Sequence, residues 1–331
     1  MRKAGSKKSV PAQVPGCVHA DLMAVQEIGD PVSGRALESA AGVCESAWVY
    51  EKVFMSEDFS DFDHVVVRFD GLDGCAAVSL NDTELGVSTS VFEWMECDVK
   101  ALIKPGKNKL TVSFAAAADE SGRRVAQCVR RQTSSSLGLW QPKSETVGLC
   151  RGVSVLAFSN VRVRQVVIHQ DHSTAGVVGL NVEVDAARFH PEIHLEVLVR
   201  VCYKGNILHE AREILNADRL SLNLPVKNPQ LWWPAGMGEQ PLYEVTVDVL
   251  TGRTCHEHIS RRIGLRAFRM EETAVRGDTV RRFFINGQPM FLKGASWMPA
   301  DLYVARLTRV EYARLVKAAA VANMNCLRVW G

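Results

Sequence analysis

The sequence predicts a mainly β protein, with two consecutive antiparallel β-sandwiches followed by one strand–helix–strand (βαβ) unit. Two observations predict this class. Up to about residue 270, short segments rich in β-branched residues are separated by turn signals such as PGKN at 105–108, which is typical of antiparallel sandwiches. Beyond residue 290, the apolar spacing becomes helical between two apolar strands, which is typical of a parallel sheet or barrel.

Each sandwich is predicted from segments in which apolar and polar residues roughly alternate, because alternation places every second side chain of a strand in a core. The first sandwich has WVYEKVF (48–54), HVVVRFDGL (64–72), AAVSLND (76–82), KLTVSFA (109–115) and VSVLAF (153–158). The second runs from about residue 160 to 270 and has VRVRQVVIH (161–169), VGLNVEVDA (178–186) and IHLEVLVRVCYKG (193–205).

The carboxyl-terminal part is predicted to contain a hairpin, a helix and a strand. The dipeptide Asn286-Gly287 joins two apolar runs and favours a tight turn with positive φ. Thr308 and Glu311 have the spacing of a capping box, so a helix is expected to begin there, and CLRVWG (326–331) follows as a buried strand. One such unit cannot close a barrel, so we expect residues from about 275 onward to pack poorly.

The composition excludes several classes of partner. Apolar residues make up 47% of the chain and charged residues 23%, and the net charge of +2 creates no field that would attract nucleic acid or an anionic membrane. No apolar run is long enough to span a membrane, and the amino terminus lacks the apolar core of a signal peptide. We therefore expect no nucleic-acid or membrane partner, while the compartment and the oligomeric state stay open.

The cysteines and histidines do not predict a metal site. The nine cysteines are odd in number and form no CxxC pair, which argues against a disulfide framework and against a thiolate zinc site. His190 and His194 are four residues apart, but Pro191 and the strand-like alternation that follows keep their ring nitrogens from converging. A Gly-rich phosphate loop is also absent from the sequence, so neither a metal nor a cofactor is expected.

Four long motifs, in order over nearly the whole chain, carry a resemblance to a known family. They are VPGCVHADLMAVQEIGDP (14–31), LWWPAGMGEQPLYEV (231–245), INGQPMFLKGASWMPAD (285–301) and YARLVKAAAVANMNCLRVWG (312–331). The sequence resembles the β-mannosidases of glycoside hydrolase family 2. The resemblance implies a jelly-roll, galactose-binding-like domain at 1–159, an immunoglobulin-like β-sandwich at 160–272, and the first βαβ piece of a truncated (β/α)8 barrel at 273–331.

The resemblance also implies substrate-binding residues on the carboxyl-terminal rim of that barrel. Trp297 and Asp301 belong to the WMPAD motif, which lies near the sugar pocket in the family. Arg328 belongs to the RVWG motif, whose Arg sits beside the catalytic carboxylates, and Trp330 ends the same strand. The partner implied by these residues is a carbohydrate, namely a β-mannoside glycan.

Some of these residues have a second interpretation. Trp297 either stacks on a sugar or closes the mouth of the barrel by aromatic packing. Arg328 either orients a carboxylate or forms a structural ion pair. Trp232 and Trp233 could offer a sugar platform, although packing is the more ordinary role for such a pair.

One loop departs from the family pattern. The family carries a WDWGPR loop whose Asp binds the sugar, and an ungapped count back from GLCRGVSV places GLWQPK, residues 138–143, at that position. Trp140 is retained and is assigned to substrate binding, but Leu139 replaces the Asp. Leucine cannot accept a hydrogen bond from a sugar hydroxyl, so the site is expected to lose affinity.

The resemblance places both catalytic glutamates in later barrel strands, beyond residue 331. Retaining glycosidases need two carboxylates about 5 Å apart, whereas Asp301, Glu239, Glu271 and Glu311 are interpreted as turn, cap and surface carboxylates. We therefore expect an amino-terminal fragment of a β-mannosidase-like hydrolase, which would release terminal β-D-mannose with retention when complete and is inactive alone. The alternatives are a non-catalytic carbohydrate-binding or interaction protein built from two β-sandwiches, or a product without function.

Overall fold

The computed structural model describes residues 1–31, 40, 42–116, 145–275 and 278–329. Over these residues the chain is mainly β, as the alternating sequence pattern predicts. It divides into two units. The first consists of Met1–Ala157 with Trp297–Ala313, and the second of Phe158–Ser296 with Arg314–Val329.

The first unit contains a five-stranded sheet and a three-stranded sheet. Its elements are β1 (Arg2–Lys3), α1 (Val18–Ala24), a 3-10 helix (Gly42–Glu45), β2 (Trp48–Ser56), β3 (His64–Phe69), β4 (Ala76–Leu80), β5 (Thr83–Ser88), β6 (Met95–Asp98), β7 (Gly106–Phe114) and β8 (Val153–Phe158). The sheet orders are β1-β2-β7-β4-β5 and β6-β3-β8. All five predicted strands are confirmed, and the short strands β1, β5 and β6 are found in addition.

Alternation along paired strands builds the core of this unit. Trp48 and Tyr50 of β2 lie opposite Phe114 and Val112 of β7, and all four side chains are buried. Because successive side chains of a strand point to opposite faces, this pairing puts three aromatic residues and one valine on one side of the sheet.

The second unit contains two further sheets with orders β13-β10-β9 and β12-β11-β14-β15. Its strands are β9 (Val161–Asp171), β10 (Val177–Arg188), β11 (Glu196–Tyr203), β12 (Asn206–Ile214), β13 (Arg219–Lys227), β14 (Tyr243–Thr251) and β15 (Thr254–Ile263). The three strands predicted here are confirmed. Every second residue of β10 is buried, namely Val178, Leu180, Val182, Val184 and Ala186.

The predicted hairpin lies in a three-stranded antiparallel sheet of β16 (Phe268–Val275), β17 (Asp278–Ile285) and β18 (Gln288–Met290). Asn286 and Gly287 have φ of 49° and 79°, which confirms the turn. The Asn286 side chain also accepts a hydrogen bond from the Ala267 amide at 2.9 Å and donates one to the Trp232 carbonyl at 3.0 Å. The asparagine therefore shapes the turn and ties it to two other segments.

The last described elements are β19 (Gly294–Trp297), a 3-10 helix (Val304–Arg306), α2 (Arg309–Val321) and β20 (Cys326–Val329). β19 and β20 are neighbours in a two-stranded sheet. The Thr308 hydroxyl donates to Glu311 Oε2 at 2.9 Å, and the Thr308 amide donates to the same oxygen at 2.6 Å. The start of α2 and its capping box are thus confirmed.

The carboxyl-terminal part was expected to pack poorly, and the structure agrees with this for α2 but not for the segment before it. α2 has no buried residue, and Val310 and Val321 are more than 70% exposed, which agrees with the expected poor packing of this part. Leu302 and Tyr303, however, are buried in the first unit, so the expectation of poor packing is wrong there. No helix in the described part of the chain is long and apolar enough to cross a membrane.

A charged row crosses the four-stranded sheet of the second unit. Arg200 Nε donates to Glu210 Oε2 at 2.7 Å, and Arg200 Nη1 donates to Asp248 Oδ2 at 2.9 Å. His258 Nδ1 lies 2.5 Å from Asp248 Oδ1. Asp248 is 8% exposed and bridges two partners, whereas the Glu210 side chain is 48% exposed.

We expect Asp248→Ala to lower the free energy of unfolding by about 1–3 kcal/mol, because it removes a buried acceptor from two polar partners. The matched control is Glu210→Ala, which removes an exposed partner of the same arginine and should cost less than about 1 kcal/mol. Urea unfolding of the two variants measures the difference. Equal losses would show that burial does not distinguish the two carboxylates.

Candidate functional site

The segment after β19 packs into the first unit through Tyr303. The Tyr303 side chain is fully buried, and with Leu302 it forms a small apolar cluster with Cys17. The imidazole of His19 stacks on the Tyr303 ring, with centroids 4.7 Å apart and planes inclined by 23°. The WMPAD motif is therefore attached to the amino-terminal VPGCVHADL motif.

Asp301 organises the turn in front of Tyr303. Its Oδ1 accepts a hydrogen bond from the Tyr303 amide at 2.7 Å and another from Arg306 Nε at 2.7 Å. Arg306 also lies 3.6 Å from Asp30 Oδ2 through Nη1, and its guanidinium sits 5.7 Å from the Tyr303 ring centre. The hydrogen bond that Arg306 donates to Asp301 raises the pKa of Arg306, so the guanidinium is charged at neutral pH.

The amino-terminal motif supplies buried polar groups around this contact. Burial lowers the pKa of His19 to about 4 and raises the pKa of the Cys17 thiol to about 12. His19 Nε2 lies 3.0 Å from the Ala40 carbonyl oxygen, while its Nδ1 is buried with no hydrogen-bond partner among the described residues. The thiol is protonated and the imidazole neutral at pH 7, and neither reaches solvent. This cluster can position the segment but cannot act as a nucleophile or an acid.

Asp21 completes the buried cluster. Its Oδ1 accepts a hydrogen bond from the Gln13 amide at 2.9 Å, and its Oδ2 lies 3.4 Å from the Tyr50 hydroxyl. Burial raises the pKa of Asp21 and of Tyr50. Cys17 and Asp21 belong to the amino-terminal motif at 14–31, but no role was predicted for them from the sequence. The sequence signal that could have indicated their burial is the presence of polar residues within an apolar amino-terminal stretch.

Trp297 makes an aromatic contact. It is half-buried, and its ring stacks with Tyr312 of α2 at a centroid distance of 6.3 Å and an interplanar angle of 22°. The two interpretations of Trp297 stay open, because such a pair can close a cavity or present a flat surface to a sugar.

The remaining predicted site residues are Arg328, Trp140 and Trp330. Arg328 is exposed on β20 and makes no ion pair with the residues that the structure describes. Trp140 and Trp330, with Leu139, lie outside the described residues. Their assignments stay predictions.

The two adjacent tryptophans of the LWWP motif pack within the second unit. The Trp232 ring lies 4.6 Å from the Arg266 guanidinium, and a Cβ built on Gly264 would meet that ring at 2.7 Å. A Cβ on Gly238 would meet the Trp233 ring at 2.8 Å. These close approaches favour packing over a sugar platform.

The carboxylates considered as substitutes for a catalytic pair have structural or surface positions. Asp301 holds a turn and Glu311 caps α2. Glu271 is partly exposed and paired with Arg269, and Glu239 is exposed. Within the described ranges, no group of three or more His, Cys, Asp or Glu side chains is arranged to hold a metal ion.

Two family models match the chain. Residues 1–151 match the model described as "Glycosyl hydrolase 2 galactose-binding domain-like", and residues 161–266 match "Glycosyl hydrolases family 2". The two matches follow one another and together span most of the chain.

Curated relatives are similar over nearly all of this chain. Beta-mannosidase B of Aspergillus flavus is 29% identical over an alignment 341 residues long. The alignment covers 96% of this chain and 40% of that protein. Beta-mannosidase B of Thermothelomyces thermophilus is 27% identical over an alignment 356 residues long. The alignment covers 99% of this chain and 40% of that protein. The chain therefore spans about 40% of the length of the curated relatives that it matches.

Solved structures are similar as well. The β-D-mannosidase of Dictyoglomus thermophilum superposes with a TM-score of 0.90 at 29% identity, covering 100% of this chain and 43% of that chain. The exo-chitosanase of Amycolatopsis orientalis superposes with a TM-score of 0.75 at 20% identity, covering 99% and 38%. The second similarity concerns the fold alone.

The pKa of His19 predicts a loss of stability in acid. It is about 4 in the folded protein against an ordinary value of 6.5, so the unfolded chain binds more protons between these values. The stabilising contribution is complete above pH 6.5 and is lost as the pH falls towards 4, by about 3 kcal/mol in total at about 1.4 kcal/mol per pH unit.

The matched variant is His19→Gln, which retains a donor for the Ala40 carbonyl but does not titrate. Chemical unfolding of both proteins between pH 4 and pH 7 gives two curves, and the curve of the variant should be flatter. Parallel curves would mean that His19 titrates normally in the folded protein.

Proposed function

Because the chain belongs to glycoside hydrolase family 2, we propose that it forms the sugar-contacting amino-terminal part of a β-mannosidase-type enzyme. The complete enzyme would hydrolyse terminal β-D-mannose from glycans with retention of configuration. The observation that carries the proposal is the extent of the similarity, since a β-D-mannosidase superposes on the whole chain, both sandwiches and the segment after β18 included.

The proposed domain organisation is a jelly-roll domain at 1–159, an immunoglobulin-like sandwich at 160–272, and the beginning of a (β/α)8 barrel at 273–331. The limits of the two family matches support the first boundary. The succession of β19, α2 and β20, with β19 beside β20, supports the assignment of the last part as a first barrel piece.

We assign Trp297, Asp301 and Arg328 to the substrate-binding rim, together with Trp140 and Trp330. Contacts in the structure support the roles of Asp301 and Trp297. Both hydrogen bonds to Asp301 arrive at Oδ1, which leaves Oδ2 to accept from a sugar hydroxyl, and the burial of Tyr303 holds the turn in place. The contact with Tyr312 likewise fixes the plane of the Trp297 ring.

The catalytic carboxylates would come from sequence that is not among these 331 residues. The retaining mechanism needs a nucleophile and an acid/base about 5 Å apart. The carboxylates in the segment after β18 are engaged in a turn and a cap, which agrees with a binding role for this part. The second candidate function, a non-catalytic carbohydrate-binding protein, is favoured by the galactose-binding-like match of residues 1–151.

We expect the 331-residue polypeptide alone not to hydrolyse an aryl β-mannoside, because the proposal places the carboxylate pair outside it. A fusion of this chain to the remaining part of Aspergillus flavus beta-mannosidase B should hydrolyse it, and should prefer it to the matching β-galactoside and β-glucosaminide. Initial rates on the three substrates provide the measurement. Turnover by the polypeptide alone, or a fusion that prefers another sugar, would overturn the proposal.

In the same fusion, Leu139→Asp should raise kcat/KM on the β-mannoside by about tenfold or more, because a held carboxylate can accept a sugar hydroxyl. Leu137→Asp is the control, since it adds the same charge two residues away in the same loop sequence. Equal effects of the two substitutions would show that added charge, rather than a restored contact, is responsible.

A further inference from the structure

A lysine occupies a core-facing position of β2. The side chains of Trp48, Tyr50 and Phe54 point to the interior of the first unit, and Lys52 lies in the same row because strand side chains alternate. Its register partner is Leu110 of β7. Trp48 and Tyr50 are buried, but Lys52 is exposed. Because the Lys52 side chain faces inward and still reaches solvent, the space between the sheets must be open to solvent beside it.

The opening is a cavity of about 1050 Å³ between the two sheets of this unit. This volume lies just above the range of about 300–1,000 Å³ that is typical of small-molecule sites. Its inner wall is contributed by both sheets and by the strand connections, chiefly through Phe54, Val67, Leu110, Val112, Leu149 and Val155. Its polar lining comes from Lys52, the Arg2–Glu51 pair, Ser9 and Ser154.

The chemistry of the wall selects the ligand. The apolar side chains of the inner wall offer no partner for hydroxyl groups, so a monosaccharide placed against them would lose hydrogen bonds to water. An alkyl chain loses nothing of this kind and gains free energy from the removal of its surface from water. The cavity therefore suits an apolar chain, which separates it from the sugar-contacting residues assigned above.

The charges at the cavity select the head group. Glu51 is paired with Arg2 Nε at 3.3 Å, whereas Lys52 makes no ion pair or hydrogen bond with the residues that the structure describes. An unpaired cation beside an apolar wall matches a ligand with an anionic head and an apolar tail. We propose that this cavity binds a free long-chain carboxylate, with its tail between the sheets and its carboxylate on the Lys52 ammonium group.

The experiment titrates the full chain with decanoate, dodecanoate and tetradecanoate, each below its micelle concentration, by isothermal calorimetry. Each added methylene should tighten binding by about threefold to fourfold if the tail is buried. Dodecanol, which lacks the charge, should bind about tenfold more weakly than dodecanoate. A site that depends on charge alone would show no dependence on chain length.

Variants separate the two contributions. Lys52→Met should weaken dodecanoate binding by about tenfold and leave dodecanol binding unchanged. Lys107→Met is the control, because Lys107 is an exposed lysine of β7 outside the cavity lining. Val155→Trp should abolish binding of both ligands by filling the space, and its near- and far-ultraviolet circular dichroism reports whether it folds.

Three results would overturn the proposal: no saturable binding of dodecanoate, equal affinity for dodecanoate and dodecanol, or equal effects of Lys52→Met and Lys107→Met. Any of them would leave Lys52 the simpler role of an inward charge that blocks edge-to-edge pairing of the sheet. These outcomes do not depend on glycosidase activity, so the proposed function can fail or succeed separately.

Discussion

The burial of Tyr303 against His19 and Cys17 is the contact on which the arrangement of the candidate site depends. It attaches a segment near the end of the described chain to a helix near its beginning. Asp301 and Arg306 flank Tyr303 in the sequence, and a hydrogen bond from Arg306 to Asp301 joins them. A stacked aromatic pair inside a dry cluster is rigid, because neither ring can turn without opening a cavity.

Local structure was predictable wherever neighbouring residues decide it. The strands follow from alternation, the hairpin from Asn286 and Gly287, and the start of α2 from Thr308 and Glu311. Each of these signals acts over a few residues. The short strands β5 and β6 were missed because they carry little apolar alternation of their own and form by pairing with neighbours that do.

The site was predictable only in part, since its geometry rests on contacts between distant parts of the sequence. Nothing in the residues around Tyr303 announces a stacking partner in α1, so burial was not expected there. The family resemblance indicated Asp301 and Trp297 as site residues. It could not show that Asp301 Oδ1 accepts a hydrogen bond within the turn, or that the Tyr312 ring stacks on the Trp297 indole. The position of Lys52 beside a cavity could not be predicted for the same reason, because the cavity is formed together with the opposite sheet.

The hydrogen bonds of Asn286 have a consequence for the chemical ageing of the protein. An Asn-Gly sequence is prone to deamidation, in which the following backbone nitrogen attacks the side-chain amide. Here the amide is held by the Ala267 and Trp232 main chains, which restrains the attack. Once converted to aspartate, the side chain has no amide donor for the Trp232 carbonyl, and a carboxylate faces that oxygen instead. The folded protein thus preserves the residue that its hairpin requires, while an unfolded copy loses it over time.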